Sequence, residues 1–129
     1  MLGTHELVDF WGCRDLSIDQ WRELLKRAVD ASGTTLVDLR IEPFQPKGLT
    51  AFCLLAESHL AVHTWPEEDY IAIDLFTCGD SVSPDRAIDV LLAELEPEKI
   101  ARETKQRGVL SRAGGASERN PKSKSGAVG

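Results

Sequence analysis

A serine placed directly after a glutamate, a histidine five residues further on, and a cysteine at the end of the next apolar run are the residue types of this chain best suited to chemistry. They are Glu57-Ser58-His59-Leu60, His63-Thr64-Trp65-Pro66-Glu67 and Phe76-Thr77-Cys78-Gly79. A serine hydroxyl is a nucleophile, an imidazole titrating near neutrality both takes and returns a proton, and a thiol can donate one. Taken singly, each has a plainer reading: most serines are surface or turn residues, a lone histidine is more often structural, and a lone cysteine behaves as a small buried hydrophobe. Cys53, between Phe52 and Leu54, and Cys13, which has no motif around it, keep that plainer reading.

His59 and His63 stand at i and i+4, which on a helix would suggest a metal pair. In a strand the same spacing leaves them about 13 Å apart, too far to share an ion, so no metal is expected. Ser58 and His63 are an odd number of residues apart, so a regular strand points them to opposite faces. A twofold-related second chain would then have to supply the histidine, unless a bulge or a break in the strand at Ser58 defeats the alternation.

The elements that must carry these residues are legible from periodicity. Gly3 to Cys13 has apolar residues on both faces, Leu7 and Trp11 against Val8 and Phe10, as in a strand largely covered by other structure. Ser17 opens Ser-Ile-Asp-Gln20, a capping box, and Ile18, Trp21, Leu24, Leu25, Ala28 and Val29 recur at helical spacing up to a stop at Gly33. Strands are expected over Thr34 to Ile41, Leu49 to Ala56, Ser58 to Trp65 and Tyr70 to Cys78, with turns at Pro46-Lys47-Gly48 and Pro66 to Asp69. Ser83-Pro84-Asp85 begins a second helix, whose stripe Ile88, Leu91, Leu92 and Leu95 stops before Pro97. Lys99 to Gln106 reads as a last polar strand with little apolar content. The fold class expected is α+β: a two-layer sandwich of a mainly antiparallel sheet with two helices packed on one face.

Composition bounds the function. At 129 residues with 42% hydrophobic content, the chain is a single domain over 1–107. The segment 108–129, rich in Ser, Gly, Ala, Lys and Arg, reads as a disordered tail. A net charge of -6 disfavours nucleic acid as a partner. No apolar run approaches ~18 residues and the N-terminus lacks a signal pattern, so a soluble cytoplasmic protein without a membrane partner is expected. Three widely spaced cysteines suggest neither a disulfide framework nor a zinc knuckle, and reduced thiols are expected.

The three motifs, in this order, closely resemble the small prokaryotic S-adenosylmethionine decarboxylases, which cleave themselves and depend on a pyruvoyl group. The resemblance covers residues 3 to 106 and is strongest from Glu57 to Gly79. It implies that the Ser58 hydroxyl attacks the Glu57 carbonyl in an N-to-O acyl shift and that loss of the serine α-hydrogen then eliminates the ester. The dehydroalanine left behind hydrolyses to a pyruvoyl group with loss of ammonia. Pieces 1–57 and 58–129 result. The ketone forms a Schiff base with the substrate amine and acts as an electron sink in place of pyridoxal phosphate, so no external organic cofactor is needed.

By the same resemblance His63 is the processing proton donor and acceptor. Cys78 is the acid that protonates the substrate α-carbon and so prevents dead-end transamination. Phe44 in Pro43-Phe-Gln-Pro46 stacks on adenine, Glu67 binds the ribose hydroxyls, and homodimers take active-site residues from both protomers. An aromatic face suits a purine and a carboxylate accepts two adjacent hydroxyls, although alone Phe44 would more often be core and Glu67 a solvated turn residue.

Two departures stand out. Relatives usually carry Gly-Val-Ser-Gly where this chain has Gly48-Leu49-Thr50-Ala51, so Thr50 supplies the processing hydroxyl on a stiffer side chain. Gly3-Thr4-His5-Glu6-Leu7 places a charge where the usual start is Gly-x-His-Leu. The leading expectation is conversion of S-adenosylmethionine to the aminopropyl donor for spermidine and other polyamines. A pyruvoyl-dependent arginine or ornithine decarboxylase on the same fold stays open, because Glu67 would also bind a guanidinium. An unprocessed, non-enzymatic paralogue is the remaining alternative, and Ser58, His63 and Cys78 together argue against it.

Overall fold

The computed structural model describes residues 2–110. Six strands form one antiparallel sheet: β1 (Gly3–Trp11), β2 (Leu36–Pro43), β3 (Leu49–Leu55), β4 (His59–Trp65), β5 (Tyr70–Cys78) and β6 (Lys99–Arg107). Their spatial order is β2-β3-β4-β5-β1-β6. Helices α1 (Ile18–Ser32) and α2 (Pro84–Leu95) follow β1 and β5. The α+β sandwich expected from periodicity is the fold observed.

Both helices begin and end where local chemistry dictates. The Ser17 Oγ accepts from the Gln20 backbone N–H at 3.1 Å while the Gln20 side-chain oxygen accepts from the Ser17 N–H at 2.8 Å, closing the capping box. Gly33 ends α1 in the left-handed region at φ 91°, which a residue without Cβ adopts at little cost. Ser83 caps α2, and Pro84 occupies its first turn.

Sheet alternation sorts the side chains into two layers. Val8, Phe10, Leu49, Ala51, Cys53, Leu60, Val62, Ile71, Ile73 and Leu75 turn to one face, where they pack with Trp21, Leu24, Leu25, Ala28, Ile88, Leu91 and Leu95 of the helices. Cys53 is fully buried in this layer, as its flanks suggested. Strand β1 departs from its expectation. Only its even face is covered within the protomer, and Leu7 on the other face is 39% exposed.

The β2 segment begins two residues later than Thr34, because Thr34 and Thr35 cross from the helix cap to the sheet, and a register shift between Leu36 and Asp38 absorbs Val37. Strand β4 starts at His59 rather than Ser58, which leaves Ala56 to Ser58 as a hairpin tip. The polar segment after Pro97 is indeed a strand. β6 pairs with β1 along its whole length, although every residue in it is exposed. Gly108 to Leu110 follow it without regular structure, and the rest of the expected disordered tail, 111–129, lies outside the described residues.

A buried carboxylate holds that polar strand. Glu6, whose side chain is 3% exposed, accepts from Arg102 Nε at 2.8 Å and from Thr104 Oγ1 at 2.6 Å, while Arg102 also donates to Asp85 on α2 at 2.5 Å. The unexpected charge at the chain's start thus ties the sheet edge to the second helix. Removing one partner of a buried pair strands the other, but Arg102 is partly solvated, which tempers the loss. Glu6→Ala should therefore lower stability by about 2 kcal/mol in urea unfolding, and Glu6→Leu with Arg102→Leu should recover at least half of it. A single-variant loss below about 0.5 kcal/mol would refute the role.

Candidate active site

The β3–β4 hairpin brings the Glu57–Ser58 bond to its tip. The Leu55 N–H donates to the Ser58 carbonyl at 2.8 Å and the Ala56 N–H to the Thr35 carbonyl at 2.9 Å, so the turn is clamped from within and from the strand beside it. Ser58 Oγ is buried and has no hydrogen-bond partner among the described residues. An orphaned buried hydroxyl is destabilising by about 1–3 kcal/mol. Glu57, Ser58, Thr34, Thr77, Cys78 and Val82 line a cavity of about 10 Å³ around it, roughly the space of one water. The Cys78 thiol points at the Glu57 carbonyl oxygen, 3.6 Å away. Gly79, at φ 87°, lets the chain turn off the sheet just after that thiol.

His63 belongs to a different place. It lies on the face of the sheet that the helices leave open, opposite Ala72 on β5 and Thr50 on β3. Thr50 Oγ1 and His63 Nδ1 are 3.1 Å apart, and the Trp65 ring stacks beside the imidazole with centroids 6.0 Å apart. A cavity of about 370 Å³ there is lined by Phe44, Thr50, His63, Trp65 and Glu67 among others. Ser58 precedes the strand at the hairpin tip, so His63, five positions on, lies roughly 16 Å along the chain from it.

The seven residues singled out by sequence therefore fall into two groups. Glu57, Ser58 and Cys78 share the hairpin-tip cavity; Phe44, Thr50, His63 and Glu67 share the open-face cavity. The protomer does not join them. The serine and the thiol share one cavity, and the imidazole stands in the other.

The open face also carries partners that residue patterns did not disclose. His5 Nε2 bonds Asp74, and Arg107 approaches His5 Nδ1 at 3.1 Å. Because a guanidinium only donates, His5 Nδ1 must accept, and the ring proton sits on Nε2 toward Asp74. Tyr70 donates to Asp9 at 2.5 Å and stands between Trp11 and Trp65, each with centroids 5.5 Å away. The hydrogen bond to Asp9, with burial and the carboxylate's charge, pushes the Tyr70 phenol up to about 12. The only sequence signal for these contacts was shared parity on neighbouring strands, and pairing partners cannot be assigned before register is known. Burial raises Cys53 to about 12, and burial with the Asp69 charge raises Cys13 to about 11.

The chain is similar to known proteins in both sequence and fold. Residues 4–108 match the family described as S-adenosylmethionine decarboxylase. The S-adenosylmethionine decarboxylase proenzyme of Thermomicrobium roseum is 40% identical over 111 residues, covering 84% of this chain and 96% of the relative. That of Aquifex aeolicus is 38% identical over 120 residues, covering 91% and 89%. The crystal structure of the adenosylmethionine decarboxylase from Aquifex aeolicus superposes with a TM-score of 0.75 at 35% identity, covering 93% of this chain and 98% of that one.

Tyr70 is the single tyrosine of the chain, so its ionisation reads cleanly by ultraviolet absorbance. Its raised value means the neutral phenol is favoured by folding. The stabilisation is complete below pH 10 and lost as pH rises through about 12. In Asp9→Asn the midpoint should fall toward 10, and an unchanged midpoint would discard the Asp9 bond as its cause. Iodoacetamide at pH 8 should label Cys78 ahead of Cys13 and Cys53, which are held protonated; peptide mass mapping reads the order, and faster labelling of Cys53 would contradict this burial pattern.

Proposed function

The chain belongs to the S-adenosylmethionine decarboxylase family, and on that premise we propose that it is a self-processing enzyme that decarboxylates S-adenosylmethionine to the aminopropyl donor used in polyamine synthesis. The observation that carries the reading is the buried, unpartnered Ser58 hydroxyl at a hairpin tip, beside the carbonyl of Glu57 and under the thiol of Cys78.

In this proposal Ser58 Oγ attacks the Glu57 carbonyl carbon. The C–N bond breaks, the nitrogen of residue 58 leaves as an amine, and Glu57 is held as an ester. Cys78, already aimed at the carbonyl oxygen, donates a hydrogen bond where negative charge gathers during the attack. His63 removes the residue-58 α-hydrogen, and the electron pair expels the Glu57 carboxylate from Cβ. Water hydrolysis of the remaining dehydroalanine releases ammonia, and fragments 1–57 and 58–129 remain. Thr50, bonded to His63 Nδ1, leaves Nε2 for the proton.

The cavity around Ser58 fits a pyruvoyl group: its one orphaned polar atom is the atom that processing consumes, and Cys78 lines the same small space. Such a group supplies the electron sink for loss of carboxylate from a bound amine. The protein's own residues do the remainder. Cys78 returns the proton to the substrate α-carbon, Phe44 stacks on the adenine, and Glu67 accepts from the ribose hydroxyls. A cytoplasmic setting is part of the proposal, since the chemistry needs Cys78 as a free thiol.

Two half-sites on one protomer argue for a homodimer with composite sites. The uncovered face presents Leu7, Phe52, Leu54 and Trp65, 39 to 44% exposed, with His5, His59 and Phe76 between them. Stacking two such faces about a twofold axis that crosses the strands at the row Phe52, Ala61, Asp74 and Leu7 lays the row of His59 over the partner's row of His63. Small Ala61 sits where the axis passes. That placement brings the hairpin tip of one copy to the open-face cavity of the other.

Denaturing intact-mass spectrometry should find two fragments meeting at Glu57/Ser58, and CO₂ release should occur from S-adenosylmethionine but not from arginine or ornithine. A single uncleaved chain, or preference for a basic amino acid, would overturn the reading. Co-expressing Ser58→Ala with His63→Ala should restore cleavage of the His63→Ala chain, which stays whole when expressed alone. Failure to restore it would place His63 in the same chain as the bond it serves.

A further inference from the structure

The cavity at the hairpin tip is bordered by two residues that the processing steps above leave without a part. Thr77 and Thr34 line it beside Ser58 and Cys78. The last pair between β4 and β5 is His59 with Phe76, so the next residue on each chain segment is Ser58 and Thr77, and Thr77 is only 4% exposed. Thr34 follows Gly33, the cap of α1, and the bond from the Ala56 N–H to the Thr35 carbonyl at 2.9 Å draws that segment against the tip. Three hydroxyl-bearing residues from three parts of the chain thus border about 10 Å³, close to the least space that one water needs, with Leu55 and Val82 as apolar wall.

Ser58 Oγ is buried, and neither threonine is its hydrogen-bond partner although both border the same small space. Polar groups that share a one-water cavity without bonding directly stand at the separation that a bridging water spans. Such a water would satisfy the serine hydroxyl and meet the two to four polar partners that an enclosed water requires.

The acyl shift gives that water a task. Attack of Ser58 Oγ on the Glu57 carbonyl carbon forms an O–C bond and breaks the C–N bond, and the proton on Oγ must end on the nitrogen of residue 58. Direct transfer closes a strained four-membered ring of oxygen, carbon, nitrogen and hydrogen. A water that takes the Oγ proton while giving one of its own to nitrogen enlarges the ring to six and is regenerated, so no other reactant is consumed. We propose that Thr77 and Thr34 are positioning residues that hold a water against Ser58 Oγ, and that this water carries the proton of the first processing step. The placement of the water stands on the cavity alone. Its part as carrier rests on the function proposed above.

The test uses the full-length chain carrying His63→Ala, a substitution in the other cavity that stops processing after the shift. Its crystal structure should show one water bonded to Ser58 Oγ, Thr77 Oγ1 and Thr34 Oγ1; no water, or one that meets neither threonine, would overturn the placement. Hydroxylamine splits esters far faster than peptide bonds, so the rate at which it divides this chain at Glu57/Ser58, read by denaturing intact-mass spectrometry, reports the shift alone. Adding Thr77→Val, which keeps the branched shape and removes the hydroxyl, should slow the split by about tenfold or more, and Thr77→Ser should restore it to within about threefold of the parent. Thr34→Val, placed outside the strands, should slow it in the same direction and carries the test if Thr77→Val does not fold. Unchanged rates in both valine variants, or a Thr77→Ser chain as slow as Thr77→Val, would overturn the carrier role. A parent that hydroxylamine never splits, together with a wild-type chain that stays whole, would fall on the proposed function and take the carrier role with it, while the electron density would still decide the placement.

Discussion

The pleat of strand β4 is the constraint on which the arrangement turns. Side chains alternate at every residue from His59 to Trp65, so the register alone decides which face each of them takes, and no rotamer undoes that. The even residues Leu60 and Val62 enter the core under the helices, while the odd residues His59, Ala61, His63 and Trp65 look the other way. A one-residue slip would bury two histidines in that core and expose its aliphatic residues, which makes the register strongly specified. The placement of His63 on the open face is thus a consequence of the same pattern that makes the core.

Energetics follow from that division. The helix-covered layer carries nearly all of the fully buried apolar side chains and supplies the dominant folding term. The opposite face holds rings and charges rather than aliphatic core: Phe52 stacked on His59, Trp65 on Tyr70, His5 against Asp74. These contacts run across strands, where directly opposed pairs contribute a few tenths to about 1 kcal/mol each. Such a face is too ordered and too aromatic to be plain solvent surface, and it is continuous with the cavity that holds His63. The edge strand β6 shows the opposite solution. Its polar side chains discourage edge pairing, and Glu6 fastens it from below through Arg102.

Strain and local chemistry meet at the hairpin tip. Backbone bonds from Leu55 and Ala56 fix the turn, which leaves the Ser58 hydroxyl buried without an acceptor. In a purely structural hairpin that position would favour a residue with nothing left unpaired. A local violation of this kind agrees with the reactive role proposed for Ser58.

Sequence alone determined the helices, because Ser17, Gly33 and Ser83-Pro84 act on neighbours within a few residues, and it determined the faces of β3, β4 and β5 through alternation. It also supplied the candidate site residues, since Glu57-Ser58, His63 and Cys78 stand in short contiguous motifs. It could not settle β6, whose composition is polar and whose place depends on a ladder with β1, some ninety residues away. Nor could it show that Glu6 meets Arg102 or that Tyr70 meets Asp9. Those contacts arise only once strands distant in the chain adopt a register, because a residue's own neighbours fix its face and its backbone but not which side chain will lie across from it.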